Sequence, residues 1–158
     1  RVAMENEVQH IISLLRKTFE GGAWHGPSVK EVLDKVSEDQ AARRLPDTHS
    51  IIELVAHMTS WRIYVSRKLK GDAGFKVSEE MNFPRAEDWQ ETVKALEESQ
   101  RQLIADLEQF ASESLGDQVP GNSKPLSFYD LVHAIIHHDL YHAGQIMLIQ
   151  KATSKQSF

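Results

Sequence analysis

Four of the chain's 8 histidines, His133, His137, His138 and His142, fall within ten residues of one another. At about 100° per residue, positions four apart share a helix face, so the run offers two pairs, His133/His137 and His138/His142. With His138 at zero on a helical wheel, Leu131 and Ile149 lie at about 20°, His142 at about 40°, Ile135 at about 60° and Ile146 at about 80°. His138 and His142 therefore sit in the middle of the helix's apolar stripe. His137, at about −100°, and His133, at about −140°, fall off it, where a solvated or interface face is expected.

Buried imidazoles need polar partners. A divalent cation is one such partner, since neutral imidazole ligates zinc, copper, iron and nickel. The i, i+4 spacing lets both rings meet one ion. The natural third ligand is His57, which lies in an inner stripe with Leu54, Trp61, Tyr64 and Val65. Three histidines leave at least one coordination position open, as catalytic sites do. That position can take water, a thiolate or a carboxylate. The competing reading is that all three histidines are hydrogen-bonded core residues. His10, His25 and His49 carry no spacing signal. His25 lies in a Trp24-His25-Gly26 loop that could cover a bundle end. Asp139, at the edge of the stripe, is either a second acceptor behind a ligand imidazole or a solvated carboxylate. Gln100 interrupts an apolar stripe and either points toward the metal cavity or merely fills the bundle at a cost. Trp61, Tyr64 and Trp89 read as core aromatics first and as pocket walls second. No Ser-His-Asp arrangement and no phosphate-cradling glycine loop is present.

Helical periodicity supplies the elements that position these residues. Met4, Val8, Ile11, Leu15 and Phe19 form one stripe, predicting a helix over 4–20 that Gly21-Gly22 ends. Ser28 and Glu31 have the spacing of a capping box opening a short helix over 28–37. Residues 37–46 read as irregular. A second long helix is predicted over 49–70, with Ser50 and Glu53 at its start and Gly71 at its end. A third spans 86–111, with Trp89, Val93, Leu96, Gln100, Leu103, Leu107 and Phe110 facing in. The last spans 127–151. Four long amphipathic helices and one short helix between the first two make an all-α four-helix bundle. The connection of nearly 30 residues between the first two long helices permits an up-down-down-up order as well as plain up-and-down.

The chain has 158 residues, a length that suits a single domain over 1–158. It is 41% apolar and 26% charged, the balance of a globular protein. With net charge −5 it lacks the basic footprint of a nucleic-acid binder. No apolar run approaches the roughly 18 residues of a membrane span, and no basic-then-apolar leader opens the chain. Cysteine is absent, which excludes disulfides and a thiol nucleophile of its own and suits a reducing cytoplasm. Arg1–Ala3 precede Met4, the expected native start. A second stripe on the last helix, Tyr129, Ile136, Leu140 and Met147, opposes the first. It is expected either to meet a second subunit, giving a homodimer, or to be covered by residues 21–46 of the same chain. Gly144 on that helix suggests close approach of another helix, since glycine inside a helix costs about 1 kcal/mol.

Together, Tyr141-His142-Ala143-Gly144-Gln145-Ile146 with His138 upstream, and Ser50 through Trp61 with His57, resemble the signature helices of the DinB/YfiT-like family. Trp24-His25-Gly26, Phe83-Pro84 and Trp89 add to the resemblance, which extends over nearly the whole chain. It implies an up-down-down-up four-helix bundle, a nickel or zinc ion held by His57, His138 and His142, and frequent homodimers. Relatives in that family include S-transferases and an isomerase that use bacillithiol or mycothiol. The expected function is thus a metal-dependent S-transferase that activates a low-molecular-weight thiol toward a small-molecule substrate. The alternatives are a metal-dependent hydrolase that uses metal-bound water and a non-catalytic dimeric metal-binding module.

Overall fold

The computed structural model describes residues 6–154. Arg1–Ala3 and Met4 lie outside the described residues. The helices are α1 (Glu7–Phe19), α2 (Val29–Leu33), α3 (Glu38–Ala41), α4 (Ile51–Leu69), α5 (Glu79–Asn82), α6 (Trp89–Glu108) and α7 (Phe128–Ser154), with a 3-10 turn at Ser112–Ser114. Among the described residues the only extended pairing is an isolated bridge between Gln118 and Ser127.

Local chemistry sets the helix starts. The Asn6 side chain accepts from the Gln9 amide, and Ser50 and Asp88 cap α4 and α6 in the same way. Such a cap satisfies one of the amide donors that a helix start leaves unpaired. Ser28 and Glu31 form the expected capping box, but α2 ends at Leu33 rather than at 37. A second box, Ser37 with Gln40, opens the single turn of α3, where an irregular stretch was expected. Gly71, at φ 87°, ends α4 in a left-handed conformation open to glycine without strain.

Two apolar clusters give the order of the bundle. One gathers Phe19 at the end of α1, Ile51 to Met58 at the start of α4, Trp89 and Leu96 at the start of α6, and Ala143 to Ile149 late in α7. The other gathers Val8 to Leu15, Val65, Leu103 to Leu107, and Phe128 to Ile136. Thus α1 and α7 run one way, and α4 and α6 run the other. The order is up-down-down-up. Because α4 and α6 are parallel, residues 70–88 must return along the bundle between them. Helices α2 and α3 pack at the first cluster, where Val29, Val32, Val36 and Ala41 join it. Met147 packs against this cluster, and Ile136 is buried in the other, so much of the second α7 stripe is covered within the chain.

A polar layer separates the clusters. Arg62 of α4 and Asp139 of α7 are both fully buried and form a two-pronged ion pair. The Gln100 carbonyl accepts from Arg62 Nε and Nη2 at 3.3 and 3.2 Å. The guanidinium also lies 4.8 Å from the Phe19 ring centroid. This corrects two expectations. Asp139 is neither solvated nor an acceptor for an imidazole, and Gln100 turns to Arg62 rather than to the metal cavity. Arg62 thereby joins all four long helices.

Breaking such a pair costs more than replacing it, because one charge is left buried alone. Arg62→Met is expected to lower the unfolding free energy by about 3–5 kcal/mol, read from urea denaturation. Adding Asp139→Leu should restore most of that loss. A single mutant as stable as the parent would show that Asp139 does not depend on Arg62.

Candidate metal centre

The layer's other half is built from histidines. His57 projects from the middle of α4, and His138 and His142 project from one face of α7. His57 and His142 are buried and His138 is partly buried. The rings converge through their Nε2 atoms. His138 Nε2 lies 3.1 Å from His57 Nε2 and 3.0 Å from His142 Nε2. One ligand atom from each residue lies within 4.8 Å of the others, so the group could hold a metal ion.

The outer nitrogens decide what the inner ones present. His57 Nδ1 is 2.7 Å from the Asn82 backbone carbonyl, and His142 Nδ1 is 2.7 Å from Gln145 Oε1. Both oxygens accept, so both Nδ1 atoms carry hydrogen. A neutral imidazole has one N–H, which leaves a lone pair on Nε2 of His57 and of His142. Both lone pairs point at His138, whose single N–H can satisfy one of them at most. His138 Nδ1 is itself buried without a hydrogen-bond partner. The cluster therefore cannot satisfy itself by hydrogen bonding. A cation accepted by all three Nε2 atoms fits it, and ligand imidazoles commonly donate their other N–H to a carbonyl in this way.

Electrostatics keeps the rings neutral. Burial, then the neighbouring His142, His57 and Arg62, push the His138 imidazole down to about 3. Burial also lowers His57 and His142, against the opposing pull of Asn82 and Gln145. Neutral imidazole is the form that binds metal. Burial raises the Asp139 carboxyl, and Arg62 pulls it back.

A strap from the α4–α6 connection closes one side. Besides its carbonyl on His57, Asn82 accepts from Trp61 Nε1 through its side chain at 2.9 Å. Phe83 stacks on His57 at 4.2 Å on one face and on His49 at 3.8 Å on the other. His49 is tied to Glu53 at 2.9 Å. In the sequence, Phe83 stood out only through the family resemblance and Glu53 only as part of a helix start, with no sign of a role at this centre. Asn82 acts partly through a backbone carbonyl, whose chemistry no residue type reveals. Gln145 stood within reach of detection, three residues beyond His142 on the same face.

On the other side a cavity of about 500 Å³ reaches His138. Trp61 and Tyr64 line it, whereas Trp89 is buried in the core. His133 bonds the Tyr129 carbonyl of its own helix at 2.7 Å, and His137 is exposed, so neither joins the centre. His10 and His25 are also exposed. Trp24 is wholly exposed, so its ring covers no bundle end. A Cβ on Gly144 would meet nothing within 4 Å, so no described element makes the expected close approach.

The lowered histidines set a pH dependence for metal-free protein. His138 titrates at about 3 when folded, against 6.5 for the ordinary side chain. As pH falls through this window the unfolded chain takes up the proton first, so stability is full above the upper value and declines toward the lower. His57 and His142 act in the same direction. Urea midpoints of chelator-treated protein should fall between about pH 7 and about pH 4, and fall less in His138→Ala. Equal slopes for the two proteins would refute this account of His138.

The comparisons with known proteins agree with this architecture. A crystal structure of a DinB-like protein, YjoA, from Bacillus subtilis superposes with a TM-score of 0.68 at 16% identity, covering 94% of each chain. At that identity the likeness is one of fold. No curated protein matches the sequence. The DinB superfamily profile matches residues 24–146, a span that holds α4, the strap and α7 as far as Ile146. All three converging imidazoles fall within that match, and the chain belongs to the DinB superfamily.

Proposed function

We propose that His57, His138 and His142 bind one divalent ion, nickel or zinc, and that the centre serves an S-transferase using a low-molecular-weight thiol. The observation that carries the metal reading is the meeting of three Nε2 atoms whose lone pairs the protein cannot otherwise satisfy, and the thiol chemistry rests on the family resemblance. The ion would supply the positive charge that holds a bound thiol as its thiolate near neutral pH. The chain's residues supply the rest. Asn82 and Gln145 fix two ring orientations, the Asn82–Phe83 strap shields the His57 side, and the open cavity at His138 admits the reactants. The thiol proton leaves to solvent. Sulfur then forms a bond to the electrophilic atom of the second substrate, whose leaving group departs with the electrons of the broken bond.

Two features rank the alternatives. A hydrolase needs a general base near the centre, and the one candidate, Asp139, is occupied by Arg62. A closed structural site needs a fourth protein ligand, and among the described residues the metal-competent group contains three.

Elemental analysis of untagged protein is expected to give about one equivalent of nickel or zinc per chain, with loss in His138→Ala. Loaded protein should consume an electrophile such as chlorodinitrobenzene only when a thiol is added. Failure to bind either ion from an excess would end the metal reading. Thiol-independent ester cleavage at the same centre would replace transfer with hydrolysis.

We further propose that a second copy packs on the exposed face of α7, where Tyr141 and Leu148 are about two-thirds exposed on either side of Gly144. Light scattering at micromolar concentration should give a dimer mass, and Leu148→Glu should shift it to monomer. A monomer mass for the parent chain would overturn this proposal.

A further inference from the structure

The cavity beside His138 departs in charge from the acidic balance of the whole chain. The chain carries 23 acidic residues against 18 basic ones. Among the described residues lining the cavity there is no carboxylate, but there are two lysines, Lys68 and Lys76. Most of the remaining wall is apolar or aromatic, including Trp61, Tyr64, Phe75 and Ile135. At about 500 Å³ the cavity lies in the range of small-molecule sites.

The two lysines have different tasks. Lys68 is buried, and its ammonium donates to the carbonyls of Asp72, Ala73 and Pro120 at 3.2, 3.0 and 3.1 Å. Its three hydrogens are thus spent on binding two loops together, while its charge stays beside the cavity. The same loops meet at Gly121, which has φ 75° and where a Cβ would stand 2.0 Å from the Ala73 carbonyl oxygen. Glycine is needed there for both reasons. Lys76 is exposed and makes no ion pair among the described residues. With exposed Asn122 and Ser123 it forms the polar rim.

We propose that this cavity binds a small molecule with an apolar or aromatic body and one anionic group, the body along the aromatic wall and the anion at Lys76. This would be the second substrate, oriented with its other end toward His138. The assignment rests on reading the centre as a group-transfer site. Its physical basis is a positive, carboxylate-free cavity in an acidic chain, a field that favours anions over cations of equal apolar size.

The test uses anilinonaphthalene sulfonate fluorescence, with displacement by decanoate, decanol and decylamine, which share a ten-carbon chain. Decanoate is expected to displace the dye at about tenfold lower concentration than decylamine, with decanol between them. Lys76→Glu should erase that preference. Ala134→Trp, at an exposed position on the cavity wall, should weaken dye binding about tenfold by filling the space. Both positions are exposed, so the fold tolerates the changes. The titrations are run on metal-loaded and on chelator-treated protein. A decanoate preference present in both and lost in Lys76→Glu supports the cavity even if the metal reading fails. Equal displacement by all three ligands, indifference to Ala134→Trp, or a preference that needs metal and ignores Lys76 would overturn the proposal.

Discussion

The guanidinium of Arg62 can lie in the middle of a helical bundle only because Asp139 and Gln100 are fixed to meet it. Sliding or rotating α4 against α6 or α7 would separate those groups and leave a charge buried alone, at a cost comparable with much of a small domain's stability. The apolar clusters on either side are more forgiving, since leucines and isoleucines repack in several ways. The ion pair therefore constrains the register of these helices more sharply than the apolar clusters do. Asp139 adjoins His138 in sequence, so the same register brings His138 and His142 opposite His57. The geometry of the centre is inherited from this neighbour.

Charge also passes from one half of the layer to the other. Asp139 neutralises Arg62, yet the guanidinium still disfavours protonation of His138. A bundle that used a carboxylate as the third ligand would face the opposite effect, because the anion would draw protons onto the histidines. Three neutral imidazoles leave the full charge of a bound dication uncompensated. An anionic ligand would complete it, and the carboxylate-free cavity opens at the same place. Ligand set and cavity thus have the same electrostatic sense.

Much of this was legible in the sequence, for definable reasons. His57, His138 and His142 stand on apolar stripes, and periodicity marks such positions whatever residue occupies them. The long helices and the caps at Ser28 and Ser50 were visible because each signal is local. Arg62 and Asp139 were not, because periodicity assigns a charge to the outside and cannot see a partner 77 residues away. The α3 and α5 turns are each four residues long, too short for a stripe. The role of Asn82 in orienting His57 runs through a carbonyl that every residue owns. Gly144 gave a misleading cue within the chain: it permits close approach, but no described element makes one.

The chain separation of the three ligands bears on how the protein is made. His57 precedes His138 by 81 residues. While the ribosome is extending the chain, α4 emerges with one ligand, and the other two arrive together with α7. Before then a nascent chain offers a metal ion a single imidazole from this set, too little to hold it against free histidine and thiols in the cell. Closing so long a loop is slow beside local helix formation, so the centre assembles late, after its framework has begun to form. Late assembly would guard the proposed centre against premature capture of the wrong ion, deferring any choice of metal to a nearly finished fold.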